Sequence, residues 1–252
     1  MPTTDDQWYF RKEDFQSTPS VYDSITPQDE RTIRAKGCGF INSVGNSLRF
    51  TQTTIATACT LFHRFYMRQS LKTHHHYMMA GTCIFVASKI EEQQRKIRDI
   101  VQVCNRKAKR TDAVLSEDSK DFIRWRDNLI LQEEVLLEYN CFDLTIEHPY
   151  PLLLDYCKQA QASKRLQYTA WAFVNDSYRS YACLLFRPSV VAATALYLAA
   201  RILDEDLQMS RSDKPWWDCL EVAFSDIEEC SHELLDMYTY VPSAQSRPSH
   251  EA

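Results

Sequence analysis

The sequence predicts an all-α protein built from two tandem five-helix repeats. The chain has 252 residues but only four glycines, which disfavours barrels, sandwiches and doubly wound sheets because their turns need residues with positive φ. The stretch MAGTCIFVASKIEE at 79–92 aligns without a gap with VAATALYLAARILD at 191–204. Each contains an uncharged run followed by one cation, Lys89 or Arg201. A helix that is apolar on every side must be surrounded, so each repeat is expected to pack around its own copy.

The first repeat is predicted at residues 28–144, after a turn-rich lead-in segment at residues 1–27. Pro27 stands in a position that helix starts tolerate, and Thr51 is a good N-cap for the second helix. Apolar residues at helical spacing indicate five helices. These are 28–48, 52–70, a third around the uncharged run 77–88, 97–109 and 120–140.

The segment CFDLTIEHPYP at 141–151 contains two prolines that stop helical continuation, so the boundary between the repeats is placed here. The second repeat is predicted at residues 145–240. Its five helices are expected at 150–163, 165–186, 188–203, 215–225 and 226–241. Residues 241–252 show no periodicity and are predicted to be a disordered tail.

Charge and motif content exclude several classes of protein. The net charge of −5 offers no bulk attraction to phosphate backbones, so direct nucleic-acid binding is not expected. The uncharged runs are too short for the roughly 20 residues of a membrane span, so no membrane partner is expected either. The chain has no Gly-rich phosphate loop, G-x-S-x-G or H-E-x-x-H motif, so neither an enzyme nor a cofactor is predicted. Three adjacent histidines at 74–76 diverge on a helix and do not predict a metal site.

Several ordered motifs resemble those of transcriptional cyclins, of the cyclin K and cyclin T type and their fungal counterparts. The resemblance covers roughly residues 8–240. The motifs are HRFYM at 63–67, ASKIEE at 87–92, EEVLLEYNCFDL at 133–144, EHPY at 147–150 and AWAFVNDS at 170–177.

This resemblance implies that the two repeats are consecutive cyclin boxes. It implies a regulatory subunit, without catalytic residues of its own, that forms a heterodimer with a cyclin-dependent kinase catalytic subunit and activates it allosterically. The kinase is expected to phosphorylate the C-terminal domain of RNA polymerase II and elongation factors, promoting transcription elongation in the nucleus. The polymerase tail would then be the substrate of the complex.

By the same resemblance, Lys89 and Glu133 match a paired lysine and glutamate that meet the kinase around its regulatory C-helix. Neighbouring positions of the expected interface are Ile90, Glu91, Glu92, Leu137, Phe142 and Leu144. From the residues alone, Lys89 is better explained as a helix-end cation that pairs with Glu92, and it is the resemblance that favours the kinase contact. For Leu137, plain core packing is an equal alternative. Arg201 is expected to be a helix-end cation only.

A general transcription factor of the factor IIB type remains the alternative interpretation, because it also uses two cyclin-like repeats, in that case to bind DNA and polymerase. Such a factor should show a zinc ribbon before the repeats and a basic face. This chain has no C-x-x-C pair and a negative net charge, which favours the cyclin.

Overall fold

The protein is described by a computed structural model that covers residues 7–207 and 215–239. Within these ranges the chain forms helices and turns without a β-strand, so the predicted all-α class is confirmed. A 3-10 helix at Lys12–Gln16 precedes twelve α-helices. They are α1 (Pro19–Tyr22), α2 (Pro27–Ser47), α3 (Gln52–Tyr66), α4 (His76–Ile90), α5 (Ile97–Lys109), α6 (Lys120–Tyr139), α7 (Pro149–Gln159), α8 (Lys164–Ser177), α9 (Ala182–Leu185), α10 (Pro188–Leu203), α11 (Trp216–Cys219) and α12 (Phe224–Thr239).

Hydroxyl side chains and prolines fix the starts of most long helices. The Thr51 hydroxyl accepts a hydrogen bond from the Thr54 N–H, which confirms the predicted N-cap of α3. Ser119 caps α6 in the same way. Pro27 and Pro188 occupy the first positions of α2 and α10, where a missing N–H costs nothing.

The two uncharged helices lie at the centres of the two boxes, as predicted. Helix α4 contacts α2, α3, α5 and α6, and α10 contacts α7, α8, α9 and α12. After a half-buried first turn, most residues of both helices are buried up to the last turn, where Lys89 and Arg201 are exposed. Gly81 lets α6 approach α4 closely, since a Cβ at this position would lie 3.0 Å from the Trp125 ring.

The predicted single helix at 165–186 is wrong, because the chain breaks between α8 and α9. The Ser180 hydroxyl donates to the Ser177 carbonyl oxygen (2.8 Å) and accepts from the Ala182 N–H (3.1 Å). The Tyr181 N–H donates to the Glu233 carboxylate at 3.1 Å. These side chains satisfy backbone groups that a continuous helix would have paired internally.

Two further predicted helices are shorter than expected. Within 215–225 the chain is helical at Trp216–Cys219 and again from Phe224, where α12 begins. Between them Glu221 adopts a left-handed φ of 55° and the chain turns to bury Leu220 and Val222. The second helix ends at Tyr66 rather than at residue 70. The predicted tail at 241–252 lies outside the described residues.

A buried ion pair joins the first box to the second. Arg34 is fully buried and pairs with Glu30 one helical turn earlier. Its guanidinium also donates to the carbonyl oxygens of Tyr66 (2.6 Å) and His63 (3.3 Å). It lies 5.3 Å from the ring centroid of Tyr181, which belongs to the second box. A buried charge needs this many partners to offset its desolvation, so the junction between the boxes is tightly specified.

Candidate functional site

Lys89 and Glu133 form an ion pair on the surface of the first box. Lys89 lies in the last turn of α4, and its Nζ donates to both carboxylate oxygens of Glu133 on α6 at 2.7 Å. Its ammonium also lies 4.1 Å from the ring centroid of Phe85, which adds a cation–π contact. The structure therefore brings together the two residues that the sequence resemblance singled out, at the point where α4 leaves the core.

An exposed phenyl ring stands beyond the end of α6. Phe142 is 65% exposed, although phenylalanine side chains are usually buried in folded proteins. Cys141 and Phe142 both have left-handed backbones, with φ of 56° and 53°. The Phe142 N–H donates to the carbonyl oxygen of Leu137 at 2.9 Å, which keeps the ring close to the last turn of α6. An exposed aromatic ring on a rigid turn is suited to insertion into a partner's pocket.

The other predicted apolar contacts are half-buried. Ile90 and Leu137 pack against the core of the first box and leave part of their side chains accessible. Leu144 is half-buried in the segment that follows Phe142. Glu92 is exposed and has a left-handed φ of 53°. Leu137 therefore contributes to the core, and its accessible part leaves the kinase contact as a prediction.

Glu91 contacts the interior rather than Lys89. The Thr57 hydroxyl donates to Glu91 Oε1 at 2.6 Å, and it lies 2.8 Å from His148 Nε2. His148 Nδ1 lies 2.7 Å from the Tyr178 hydroxyl. Burial, with a smaller effect of the Arg64 charge, lowers the pKa of His148 to about 4, so the ring is neutral near pH 7. One arrangement of protons satisfies all these groups: Tyr178 donates to Nδ1, Nε2–H donates to Thr57, and Thr57 donates to Glu91.

Comparison with protein-family models identifies both boxes. The cyclin N-terminal domain matches residues 6–145, and the cyclin C-terminal domain matches residues 148–251. The chain belongs to the cyclin family. This confirms the predicted regulatory subunit, since a cyclin binds a cyclin-dependent kinase catalytic subunit and is not itself the catalyst. It also favours the cyclin over the factor IIB alternative.

Several curated cyclins are similar along nearly the whole chain. Cyclin pch1 of Schizosaccharomyces pombe is 42% identical over 246 residues, covering 96% of this cyclin and 72% of pch1. Cyclin-K of Homo sapiens is 34% identical over 253 residues, and the match covers 96% of this cyclin and 42% of Cyclin-K. Cyclin-T1-4 of Arabidopsis thaliana is 35% identical over 246 residues, and the match covers 95% of this cyclin and 45% of Cyclin-T1-4. This cyclin therefore spans less than half the length of the latter two.

Two solved structures share the fold. A chain of the yeast RNA Pol II CTD kinase CTDK-1 complex aligns with a TM-score of 0.73 and 17% identity, over 91% of this cyclin and 72% of that chain. A chain of the yeast TFIIK (Kin28/Ccl1/Tfb3) complex aligns with a TM-score of 0.64 and 18% identity, over 90% of this cyclin and 96% of that chain. The identities are low, so these likenesses show the fold alone.

Other functional classes find no support in the described part of this cyclin. Within residues 7–207 and 215–239, no helix combines the length and the apolar character that crossing a bilayer requires. In the same ranges, no three His, Cys, Asp or Glu side chains are grouped so that they could hold a metal ion. The adjacent rings of His75 and His76 instead stack on each other, with centroids 4.6 Å apart.

Sequence reasoning missed several residues around the site. Ile130 and Leu131 are exposed on α6, and Ile130 lies about one turn before Glu133. Their apolar character was visible in the sequence, but periodicity alone did not separate them from core positions. Thr57 and His148 were not predicted to meet, because they are 91 residues apart and only the fold brings them together.

Proposed function

We propose that this cyclin activates a cyclin-dependent kinase that phosphorylates the C-terminal domain of RNA polymerase II and elongation factors, and that it acts in the nucleus. The proposal is supported by the similarity to Cyclin pch1, Cyclin-K and Cyclin-T1-4. It is also in keeping with the fold shared with a chain of a complex described as an RNA Pol II CTD kinase. Polymerase phosphorylation takes place on transcribed genes, which is the reason for the nuclear assignment.

The kinase-binding surface is proposed to centre on the Lys89–Glu133 pair. The single observation that carries this assignment is the position of that pair, where the largely buried helix α4 reaches the surface beside α6, the helix that the exposed Phe142 follows. Around it lie the remaining proposed contacts. They are Ile90, Glu91, Glu92, Leu137 and Leu144.

Activation follows from differential affinity. A kinase C-helix carries a glutamate that must turn inward to pair with the ATP-site lysine. A rigid surface that fits only the inward position binds that state more tightly and shifts the kinase population toward it. The packed α4–α6 core supplies such rigidity, because the interface side chains stand on helices whose opposite faces are buried. Glu91 is half-buried, and its hydrogen bond from Thr57 also holds the end of α4 in place.

The test is reconstitution with the kinase that co-purifies with this cyclin, assayed on a synthetic polymerase-tail heptad peptide. We expect phosphorylation to require the cyclin. Phe142→Ala should weaken kinase binding by about 2 kcal/mol, the usual value for burying a phenyl ring. Tyr168→Ala is the matched control, since this side chain is 76% exposed but lies on α8 in the second box.

Three results would contradict the proposal. One is that no kinase co-purifies with this cyclin. Another is a bound kinase whose activity does not depend on the cyclin. A third is equal kinase affinity for the Phe142→Ala and wild-type proteins. Binding of promoter DNA and polymerase without a kinase would instead support the factor IIB type of function.

A further inference from the structure

The lead-in segment before the first box contacts the turn that carries Phe142. Trp8 is only 2% exposed, and its Nε1–H donates to Asp143 Oδ2 at 2.8 Å. The Gln7 side-chain amide donates to the same oxygen at 3.0 Å. Trp8 and Asp143 are 135 residues apart, so this contact ties the start of the chain to the end of the first box.

Two arginines, one on α3 and one in the turn after it, also contact Trp8 and the turn that carries Phe142. The Trp8 ring contacts both guanidinium groups, with its centroid 4.6 Å from that of Arg64 and 4.4 Å from that of Arg68. Arg64 Nη1 donates to the carbonyl oxygen of Asp143 at 3.3 Å. Arg68 Nη1 lies 2.6 Å from the Cys141 sulfur. Trp8, Arg64 and Arg68, here called the lead-in clamp, therefore hold both neighbours of Phe142.

The turn needs such support because its backbone is unfavourable. Cys141 and Phe142 are consecutive non-glycine residues in the left-handed region, where the Cβ crowds the carbonyl oxygen. Residues in this region persist when their surroundings over-determine them, and they cluster at functional sites. The exposed Phe142 ring contributes little to the core. The support therefore fixes a side chain whose packing does not itself hold the fold together.

We propose that Trp8 is a positioning residue for kinase binding, which fixes the Phe142 turn through Asp143 before the kinase arrives. This inference rests on the proposed kinase-binding surface and extends it to the segment that precedes α1. A turn that is ordered in advance does not lose conformational freedom on association, so the complex is tighter for the same contacts. Removing the clamp should weaken binding without removing any atom that touches the kinase.

The test compares two substitutions in the lead-in segment. Trp8→Phe keeps an aromatic ring in contact with the two arginines and removes the N–H that reaches Asp143. Phe15→Leu is the matched control, because Phe15 is also buried but stacks on Tyr181, with ring centroids 4.3 Å apart. We expect Trp8→Phe to raise the kinase Kd about tenfold, as for loss of a hydrogen bond to a charged group. Phe15→Leu should lower the melting temperature and leave the Kd unchanged.

Amide hydrogen exchange of the free cyclin provides a readout that does not need the kinase. The N–H groups of residues 141–143 donate to carbonyl oxygens of Glu138, Leu137 and Asn140. Their exchange should accelerate in Trp8→Phe and stay unchanged in Phe15→Leu. Unchanged exchange in Trp8→Phe would show that the clamp does not order the turn, and would overturn the inference.

A double-mutant cycle separates the clamp from the interface assignment. If Trp8 acts through Phe142, then Trp8→Phe should have little effect on kinase affinity in a Phe142→Ala background. Fully additive losses would refute the clamp while leaving Phe142 as a contact. If Phe142→Ala alone binds as tightly as wild type, the proposed surface is wrong and the clamp's role in kinase binding is wrong with it.

Discussion

Replacing Lys89 with alanine should weaken kinase binding strongly while leaving the fold nearly intact, and Glu133→Ala should do the same. In the free cyclin the pair is accessible to water, with the side chains of Lys89 and Glu133 40% and 25% exposed. Ion pairs of this kind contribute about 0–1 kcal/mol to stability, even when the geometry is good. Phe85 retains its own packing in either variant, so the loss on folding should stay within that range.

The same pair is worth more at the centre of a protein interface. There both charges lose their water, and truncating one partner strands the other, which costs about 2–5 kcal/mol of binding. The lower limit corresponds to a Kd raised about thirtyfold. The two magnitudes differ enough to separate a helix-end cation from an interface residue.

The assay sets thermal unfolding of each free variant beside its kinase affinity and its activation of the kinase on a heptad peptide. Lys109→Ala is the matched control, since Lys109 and Asp121 form another exposed ion pair, between α5 and α6. We expect Lys109→Ala to change neither binding nor activation. Wild-type binding and activation by both Lys89→Ala and Glu133→Ala would refute the reasoning and leave Lys89 as a helix-end cation only.

Two further predictions concern stability. Gly37→Ala should destabilise the first box by about 1–3 kcal/mol through overpacking, because its Cβ would lie 2.2 Å from the Phe62 ring. Gly39→Ala should be neutral or slightly stabilising, since no atom lies within 4 Å of its Cβ. Urea unfolding of both variants tests this difference. The native pKa of His148, about 4, lies below the ordinary value of 6.5, so the unfolded chain binds its proton first and stability should fall as the pH drops from about 6.5 to 4. This histidine should lower the free energy of unfolding by about 2 kcal/mol at pH 5. In His148→Gln, the difference between the free energies of unfolding at pH 7 and pH 5 should be smaller by about that amount. An unchanged difference would contradict the assignment of a neutral, buried ring.

Helix positions were most predictable where local signals were strong. Helix α10 has the predicted bounds, because Pro188 starts it and Asp204 follows it with a left-handed φ of 54°. Helix α5 ends in the same manner, at a left-handed Arg110. The break between α8 and α9 could not be predicted, since it depends on Glu233, 52 residues away, which accepts from the Tyr181 N–H. Local propensity carries no information about such a contact.

The candidate site was predictable to a smaller extent. Spacing alone placed Lys89 at the end of a buried helix. Its partner Glu133 on α6 was predicted only from the resemblance to cyclins, because 44 residues separate the two. The exposure of Phe142 depends on a left-handed turn that the letters CFDL do not encode. Trp8 stands at the start of the region that resembles cyclins, but the sequence assigned it no role. Its partner, Asp143, is visible only in three dimensions.

The position of Glu91 bears on why the second box is part of the kinase-binding unit. Glu91 directly follows the last residue of α4, two positions after Lys89, and its carboxylate accepts from Thr57. Thr57 is linked through His148 to Tyr178, and both of these belong to the second box. Because His148 stays neutral near pH 7, its two nitrogens keep distinct roles and the direction of donation is fixed along the whole chain of bonds. The second box thereby restrains the end of the helix that presents Lys89, even though it contributes none of the proposed kinase contacts.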